Sequence, residues 1–143
     1  MTYDFYGSWT PRSGYHAQLH STSKDEPSAA SIVQYVTSRG FPAKKILLGI
    51  PAYGRSFLHA SGPGQKFQGG GGEEGMFEYQ QLPRKGCREI VEKHACAATC
   101  VGGDGGFVSY DNPDTVKMKA AFCKQKNLGV STCRCRMIPC YLV

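Results

Sequence analysis

The longest apolar stretch of the chain, Ile46-Leu47-Leu48-Gly49-Ile50, has the length of one strand and is far too short to cross a membrane. The stretch is continuous rather than alternating, which is typical of a strand buried on both faces of a parallel sheet. We therefore predict a buried strand over 45–50. Parallel strands need a crossover connection, so the residues before this run should supply a helix.

The residues that precede the run complete a strand–helix–strand unit. Residues 1–5 alternate and are rich in aromatic side chains, which predicts a strand, and the polar residues 8–26 predict a loop. Ser28 is a suitable cap for a helix over 29–39, which ends at Gly40. The pattern thus indicates an α/β chain.

The second half of the chain has a mixed character that indicates an inserted segment followed by a helix. The elements predicted there are a glycine-rich mobile loop over 61–75, a strand over 76–82, a short helix over 87–100, a strand over 107–110 and a helix from Pro113 to about Lys126, capped by Asn112. Gly129 ends this helix. Residues 130–143 carry three cysteines and show no periodicity.

The composition indicates one globular domain and excludes several classes of protein. Apolar residues make up 41% and charged residues 20% of the 143 residues, which excludes a collagen, a coiled coil and a disordered acidic chain. The net charge is +6, but the basic residues are scattered from Arg12 to Arg136 without a cluster. A nucleic-acid-binding module should show a basic patch, so we expect no nucleic-acid partner and no membrane partner.

The cysteine count and the amino terminus give opposite indications about secretion. Seven cysteines are typical of a secreted protein, whereas Met1-Thr2-Tyr3-Asp4 has neither the basic nor the apolar part of a secretion signal. We therefore expect that the chain is not the whole mature product of its gene. A disulfide among Cys87, Cys96 and Cys100 is predicted if the chain is secreted. The cysteine spacings do not match a zinc site, so no cofactor is expected.

Three motifs occur in order along the chain. They are Met1-Thr2-Tyr3-Asp4 followed by Gly7-Ser8-Trp9, then Gly49-Ile50-Pro51-Ala52-Tyr53-Gly54-Arg55-Ser56-Phe57, and finally Phe107-Val108-Ser109-Tyr110-Asp111-Asn112-Pro113. Together they resemble the last third of family 18 glycoside hydrolases, the chitinases. Each motif alone is weak, and the specificity comes from their order and spacing. The resemblance covers residues 1 to about 129.

The resemblance implies an α/β fold: an incomplete (β/α)8 TIM barrel, with strands six and seven and their helices, plus a small inserted α+β subdomain. Residues 1–55 would form the barrel portion, 56–110 the insertion and 111–129 a further barrel helix. Residues 130–143 would be an aberrant cysteine-rich tail. Sites of this fold lie at the carboxyl ends of the strands.

The resemblance also implies a site for N-acetylglucosamine oligomers of chitin. Tyr3 would donate its hydroxyl to the acetamido oxygen of the sugar, and Asp4 would accept hydrogen bonds from the sugar. Arg55 would donate to its polar groups, and Tyr53 would form a wall of the cleft. The chemistry of the family is substrate-assisted: a glutamic acid protonates the glycosidic oxygen while the acetamido oxygen attacks the anomeric carbon.

The catalytic acid of the family is missing from this sequence. It belongs to an Asp-x-x-Asp-x-Asp-x-Glu motif on strand four, and none of the six glutamates here has an aspartate two positions before it. Glu73, Glu74 and Glu78 lie in or near the glycine-rich loop, and we do not expect any of them to replace the acid. The four glycines 69–72 are not a phosphate loop, because no Gly-Lys-Ser/Thr follows them.

The carboxyl end also departs from the family. Family members continue into a final strand that ends in a tryptophan, whereas the single tryptophan of this chain is Trp9. We interpret the residues from Val130 onward as a translated intron or a shifted reading frame, since Val-Ser can be encoded by a common intron start.

Three functions follow from these observations. The first is a chitinase-like chain without hydrolytic activity of its own, with residual affinity for chitin oligosaccharides. The second is a lectin-like chitin-binding protein, whose aromatic platform would come from Trp9, Tyr53, Phe77 and Tyr79. The third is part of an active chitinase when the barrel is complete. An extracellular location is implied by the family and not by the amino terminus.

Overall fold

The computed structural model describes the backbone of residues 1–134 and 139–140, with side chains as far as residue 129. The two helices are α1 (Ala29–Ser38) and α2 (Pro113–Gln125). The strands are β1 (Leu47–Pro51), β2 (Tyr53–Phe57), β3 (Met76–Glu78), β4 (Glu89–Glu92), β5 (Ala97–Gly102), β6 (Gly106–Tyr110), β7 (Val130–Arg134) and β8 (Pro139–Cys140). No helix within the described part of the chain is long and apolar enough to cross a membrane.

A small sheet in the order β1-β7-β8 holds the predicted buried strand. β1 and β7 are parallel, with Leu47 opposite Val130, and α2 lies between them in the chain. β7 lies within residues 130–143, so the backbone at the start of the predicted tail continues the parallel sheet. A core beneath α1 and α2 contains Leu19, Ala29, Val33, Leu48, Cys96, Phe122, Cys123 and Leu128.

A five-stranded antiparallel sheet in the order β3-β2-β6-β5-β4 forms the middle of the chain. It has two cores of its own. One contains Phe77, Ala98, Cys100, Val108 and Tyr110, and the other contains Phe57, Ala60 and Phe107. The predicted insertion over 56–110 therefore lies mainly in this sheet, whose first strand in the chain, β2, begins at Tyr53, before residue 56.

Two of the three predicted helices, those over 29–39 and from Pro113 to about Lys126, are confirmed together with their caps. The Ser28 hydroxyl accepts a hydrogen bond from the backbone nitrogen of Ser31, and Gly40 follows the end of α1 with a φ of +85°. The Asn112 side chain accepts hydrogen bonds from the backbone nitrogens of Asp114 and Thr115. These local signals determine where each helix begins, independently of the rest of the fold.

The predicted strand over 1–5 is wrong. These residues lie beside β1, where the Thr2 hydroxyl donates to the Gly49 carbonyl at 2.8 Å, but their backbone is irregular. Asp4 has a φ of +60°, which lies in the left-handed region and cannot belong to an extended strand. An alternating pattern of side chains carries no information about that dihedral angle.

The predicted short helix over 87–100 is also wrong, because the segment forms the hairpin of β4 and β5. β5 lies between β4 and β6, so it is covered on both sides by paired strands. Its residues Ala97, Ala98 and Cys100 are almost fully buried, and the resulting short apolar run resembles a helix segment in sequence. Pairing with β6 decides the conformation, and local propensity does not.

The glycine-rich segment is packed against the sheet rather than free. The Gly71 backbone nitrogen donates to the Ser56 hydroxyl at 2.9 Å, and that hydroxyl donates to the Gly105 carbonyl at 2.6 Å. A β-carbon on Gly71 would lie 2.4 Å from the Asp104 carbonyl oxygen. Glycine is needed here because two backbones approach each other closely, so the prediction of a mobile loop missed its role.

The predicted disulfide among Cys87, Cys96 and Cys100 is not formed. The thiols of Cys87, Cys96, Cys100 and Cys123 are all free. Cys96 packs in the core beneath the helices, whereas Cys87 and Cys100 pack in a core of the antiparallel sheet. The side chains of Cys133, Cys135 and Cys140 lie outside the described residues.

Candidate functional site

The four predicted site residues lie together where the irregular amino-terminal segment meets β2. Tyr3 and Asp4 come from that segment, and Tyr53 and Arg55 come from the first half of β2. The rings of Tyr3 and Tyr53 are in edge-to-face contact with centroids 6.4 Å apart. Arg55 Nε donates to Asp4 Oδ1 at 2.9 Å. Residues 51 positions apart in the chain thus share one surface.

Gly49 of β1 allows Tyr3 to reach this position. A β-carbon at Gly49 would lie 2.7 Å from Cε1 of the Tyr3 ring, so the ring packs directly on the strand backbone. The neighbouring hydrogen bond from the Thr2 hydroxyl to the Gly49 carbonyl holds the amino-terminal segment against β1. The apolar strand that defines the fold therefore also positions the first site residue.

Asp4 is an ionised carboxylate held by several groups. Burial alone would raise its pKa, but His16, Arg55 and the Tyr53 hydroxyl together outweigh burial and hold the pKa of Asp4 well below its usual range. His16 Nδ1 lies 3.6 Å from Asp4 Oδ1, somewhat beyond a hydrogen bond, so its effect is mainly electrostatic in this conformation. Asp4 is consequently a hydrogen-bond acceptor at every ordinary pH.

Arg55 is nearly buried between aromatic rings. Its side chain is 11% exposed, and its guanidinium carbon lies 4.7 Å from the centroid of the Trp9 ring and 5.5 Å from that of Tyr53. Nη1 also faces the Glu74 carbonyl oxygen at 3.5 Å. Cation–π contacts and the Asp4 carboxylate together fix the planar guanidinium in one orientation.

Tyr53 is a neutral phenol in this environment. Burial and the negative charge of Asp4 raise the pKa of its hydroxyl. The site therefore presents one anionic acceptor, Asp4, one cation, Arg55, and the phenol of Tyr53 beside the exposed indole of Trp9. Hydrogen-bonding groups that alternate with aromatic faces suit a sugar, which has polar edges and apolar ring faces.

The other aromatic residues considered for a platform do not all reach this surface. Trp9 is 57% exposed and adjoins Arg55, and Tyr79 is 41% exposed. Phe77, in contrast, is buried in the antiparallel sheet beneath the Arg84 guanidinium, so it is not available to a ligand. No cluster of potential metal ligands occurs among the described residues.

Two neighbours of the site were not found from the sequence. His16 was placed in a polar loop, yet it is completely buried and its ring lies 5.4 Å from that of Tyr53. Glu74 was considered only as an acid, whereas its backbone carbonyl faces Arg55. Neither residue belongs to a helical or alternating pattern, so no periodic signal marks it.

The chain resembles known proteins over nearly its whole length. The model of glycosyl hydrolases family 18 matches residues 1–132. Endochitinase 1 of Metarhizium robertsii is 34% identical over 140 residues, which cover 92% of this chain and 33% of that protein. Sporulation-specific chitinase 2 of Saccharomyces cerevisiae is 32% identical and is matched over 29% of its length. The chain thus spans about a third of the curated relatives it matches.

Solved structures give the same result. A mutant of the family 18 chitinase from Cycas revoluta, in complex with (GlcNAc)4, superposes with a TM-score of 0.82 at 31% identity, covering 92% of this chain and 40% of that one. The complex of the Cycas revoluta enzyme with allosamidin has a TM-score of 0.81 at 33% identity and covers 39% of that chain. By sequence and by structure, the chain belongs to glycosyl hydrolase family 18.

Proposed function

We propose that this chain carries part of a cleft for chitin oligosaccharides and does not hydrolyse chitin on its own. The observation that carries the proposal is the Asp4–Arg55 pair, flanked by Tyr3 and Tyr53. Tyr3 would donate to the acetamido oxygen of a bound N-acetylglucosamine and Asp4 would accept from the sugar. Arg55 would donate to it and Tyr53 would form the wall. The (GlcNAc)4 complex of the Cycas revoluta chitinase supports this ligand class.

The proposed architecture is the last part of a (β/α)8 barrel. β1 and β7 would be barrel strands seven and eight, with α2 as the helix between them, and residues 1–5 would occupy the place of strand six. Residues 56–110 would be the α+β insertion. The parallel pairing of β1 with β7 supports this arrangement, because a barrel strand pairs in parallel with the next one.

The proposed lack of hydrolysis rests on the sequence. No glutamate of the chain follows the aspartates of the family's acid motif, and general acid catalysis alone is worth about 10²–10⁴-fold in rate. Glu74 takes part in the site through its backbone carbonyl, which cannot deliver a proton. We therefore expect hydrolysis only where a complete barrel supplies the catalytic acid. In such a barrel, this chain would contribute part of the sugar-binding cleft.

A lectin-like chitin-binding protein is the second candidate, and Trp9 is the observation that favours it. An exposed indole beside a fixed guanidinium is a suitable face for stacking a sugar ring. The two candidates differ in affinity. A chain that carries only part of the cleft should bind chitin oligosaccharides weakly, whereas a lectin should bind them tightly without hydrolysing them.

Calorimetric titration of the 143-residue chain with chitin tetramer tests the proposal, with circular dichroism to establish that the chain is folded. We expect saturable binding that falls about tenfold or more in Tyr3→Phe and in Arg55→Ala. Arg39→Ala is the matched control, since Arg39 also stacks on an exposed ring, Tyr35, but lies at the end of α1. This control should bind as the unaltered chain does.

The outcomes separate the candidates. A folded chain that does not bind contradicts the proposed cleft, and equal losses in Arg55→Ala and Arg39→Ala would show that binding does not use the site. Release of shorter oligosaccharides by the purified chain would contradict the proposed inactivity. Micromolar or tighter binding without release of product would favour the lectin.

The location of the protein and the origin of its carboxyl end remain proposals. An extracellular location follows from the relationship to chitinases. We propose that residues from Val130 onward derive from an intron or a shifted frame, although the match to the family model extends to residue 132. Transcripts joined at Gly129 to a tryptophan-containing strand would support this origin, and abundant transcripts that read through to Val143 would contradict it.

A further inference from the structure

His16 is a completely buried ring beneath the candidate sugar site. The Phe5 backbone nitrogen donates to the His16 carbonyl at 2.9 Å, which brings the chain back under Asp4. The His16 backbone nitrogen donates to the Ser109 hydroxyl of β6 at 3.3 Å. The position of the ring is therefore fixed from two sides, by the amino-terminal segment and by the antiparallel sheet.

Neither ring nitrogen of His16 has a hydrogen-bond partner among the described residues. A buried polar group without a partner costs about 1–3 kcal/mol, and such groups are rare enough to require an explanation. The nearest acceptor is Asp4 Oδ1, 3.6 Å from Nδ1. Moving the two atoms together by less than 1 Å would complete a hydrogen bond of ordinary length.

Burial favours a neutral histidine, which donates from one nitrogen, although the carboxylates around the ring favour the charged form. Asp4 lies on the side of the site, with Arg55 bound to the same atom, Oδ1, and the charges of the paired Asp111 and Lys119 also act on the ring. Burial lowers the pKa of His16, more than the neighbouring carboxylates raise it. A neutral imidazole carries one proton, and the partner of that proton decides which nitrogen holds it.

We propose that His16 is a positioning residue of the sugar site, whose Nδ1–H joins Arg55 in holding the Asp4 carboxylate beneath a bound N-acetyl sugar. The inference rests on the proposed function and adds a residue that touches Asp4 and not the sugar. Arg55 and His16 approach the same oxygen, Oδ1. Neither of these two residues therefore occupies Oδ2, the other acceptor of the carboxylate.

The tautomer of His16 is the first test, and it needs no ligand. We expect nitrogen-15 NMR of the histidine-labelled chain at pH 7 to show a neutral ring with its proton on Nδ1 and with Nε2 unprotonated. A neutral ring with its proton on Nε2 instead would overturn the proposal, because Nδ1 could not then donate to Asp4. This measurement decides the contact even if every His16 variant fails to fold.

Two substitutions then test the role in binding. His16→Phe keeps an aromatic ring against Tyr53 but removes both nitrogens, and His16→Asn keeps a short donor but loses the ring. We expect the affinity for chitin tetramer to fall about tenfold in His16→Phe, which corresponds to about 1.4 kcal/mol, and to change less than about threefold in His16→Asn.

The opposite order, with binding retained in His16→Phe and lost in His16→Asn, would show that the ring only fills space and would contradict the proposal. Absence of binding by the unaltered chain would count against the proposed function and against the part of His16 in it. The tautomer would still report whether His16 donates to Asp4, so the two failures are distinguishable.

Discussion

The antiparallel sheet and the parallel layer of this chain are built in different ways. The antiparallel sheet pairs five strands in one layer and has two cores made mainly from its own residues. The parallel layer pairs β1 with β7 and depends on a core contributed by separate segments, including Leu19 from the long loop and Cys96 from the hairpin turn of the antiparallel sheet. One layer is largely self-sufficient, and the other is assembled from distant parts of the chain.

The candidate site lies where these two regions meet, and polar contacts join them. The Leu19 backbone nitrogen donates to the Ala95 carbonyl at 2.8 Å. Buried Lys119 of α2 donates to the Ala17 carbonyl and to Asp111. Asp4, in the amino-terminal segment beside β1, accepts a hydrogen bond from Arg55 of β2 in the antiparallel sheet. The geometry of the site therefore depends on contacts between the two regions.

Lys119→Met should have the largest effect, because it breaks the most deeply buried connection. Lys119 and Asp111 are 2% and 1% exposed as side chains, and the substitution leaves the Asp111 carboxylate buried without its cation. We expect a loss of about 3–5 kcal/mol in the free energy of unfolding, measured by urea denaturation. Such a loss would show that the parallel layer depends on this ion pair.

Lys117→Met on the same helix is the matched control. Lys117 is 80% exposed and lies 3.6 Å from Asp114, so its removal should change stability by no more than about 0.5 kcal/mol. Similar losses in the two variants would mean that the buried pair has no special part in joining the regions.

Gly71→Ala should have the next largest effect, and it tests how tightly the antiparallel sheet is packed. The new β-carbon would lie 2.4 Å from the Asp104 carbonyl oxygen, a backbone atom that cannot move aside easily. We expect a loss of about 1–3 kcal/mol in the free energy of unfolding. Gly62→Ala, whose β-carbon would lie no closer than 3.6 Å to the Gln65 side chain, should be nearly neutral.

The same comparison explains what the sequence could predict. Both helices and the buried strand follow from local patterns and caps such as Ser28 and Asn112, so they were found. The hairpin at Glu89–Gly102 was missed because its conformation depends on the pairing of β5 with β4 and β6, which the pattern of its own residues does not reveal. Tyr3, Asp4, Tyr53 and Arg55 follow from motifs, and the structure brings them together, while their role in binding stays a prediction. His16 was missed, since nothing local distinguishes a buried histidine from one in a solvated loop.

Asp4→Asn tests the connection through the site, and its effect should depend on pH. Asparagine tolerates the positive φ of Asp4, so the change mainly removes the charge that pairs with Arg55. Because about a third of the side chain is exposed, we expect a loss of only about 1–2 kcal/mol at pH 7 by urea denaturation.

The sign of the pH dependence follows from the lowered pKa of Asp4 in the folded state. The stabilisation is complete above the pKa of an unfolded aspartate, about 3.9, and is lost as the pH falls from there towards the folded pKa. The difference between Asp4→Asn and the unaltered chain should thus be constant from pH 7 to 5 and shrink below pH 4. Asp25→Asn, at an exposed position, should show no such difference.

Glu74→Gly should have the smallest effect, with the opposite sign. Glu74 has a φ of +52°, a conformation that costs a residue with a β-carbon about 1–2 kcal/mol and costs glycine almost nothing. Part of that gain is offset because glycine has more freedom in the unfolded chain. We therefore expect the free energy of unfolding to rise by about 0.5–1 kcal/mol.

Glu78→Gly provides the contrast for this last prediction. Glu78 has a φ of −62°, so glycine relieves no strain there and should lower the stability by about 0.5–1 kcal/mol. Equal losses in both variants would show that the contacts of the Glu74 side chain outweigh its backbone strain. Opposite signs would show that the chain tolerates strain where the Glu74 carbonyl faces Arg55. In that case the strained backbone of Glu74 lowers the stability of the antiparallel sheet, and the same conformation places the Glu74 carbonyl against Arg55.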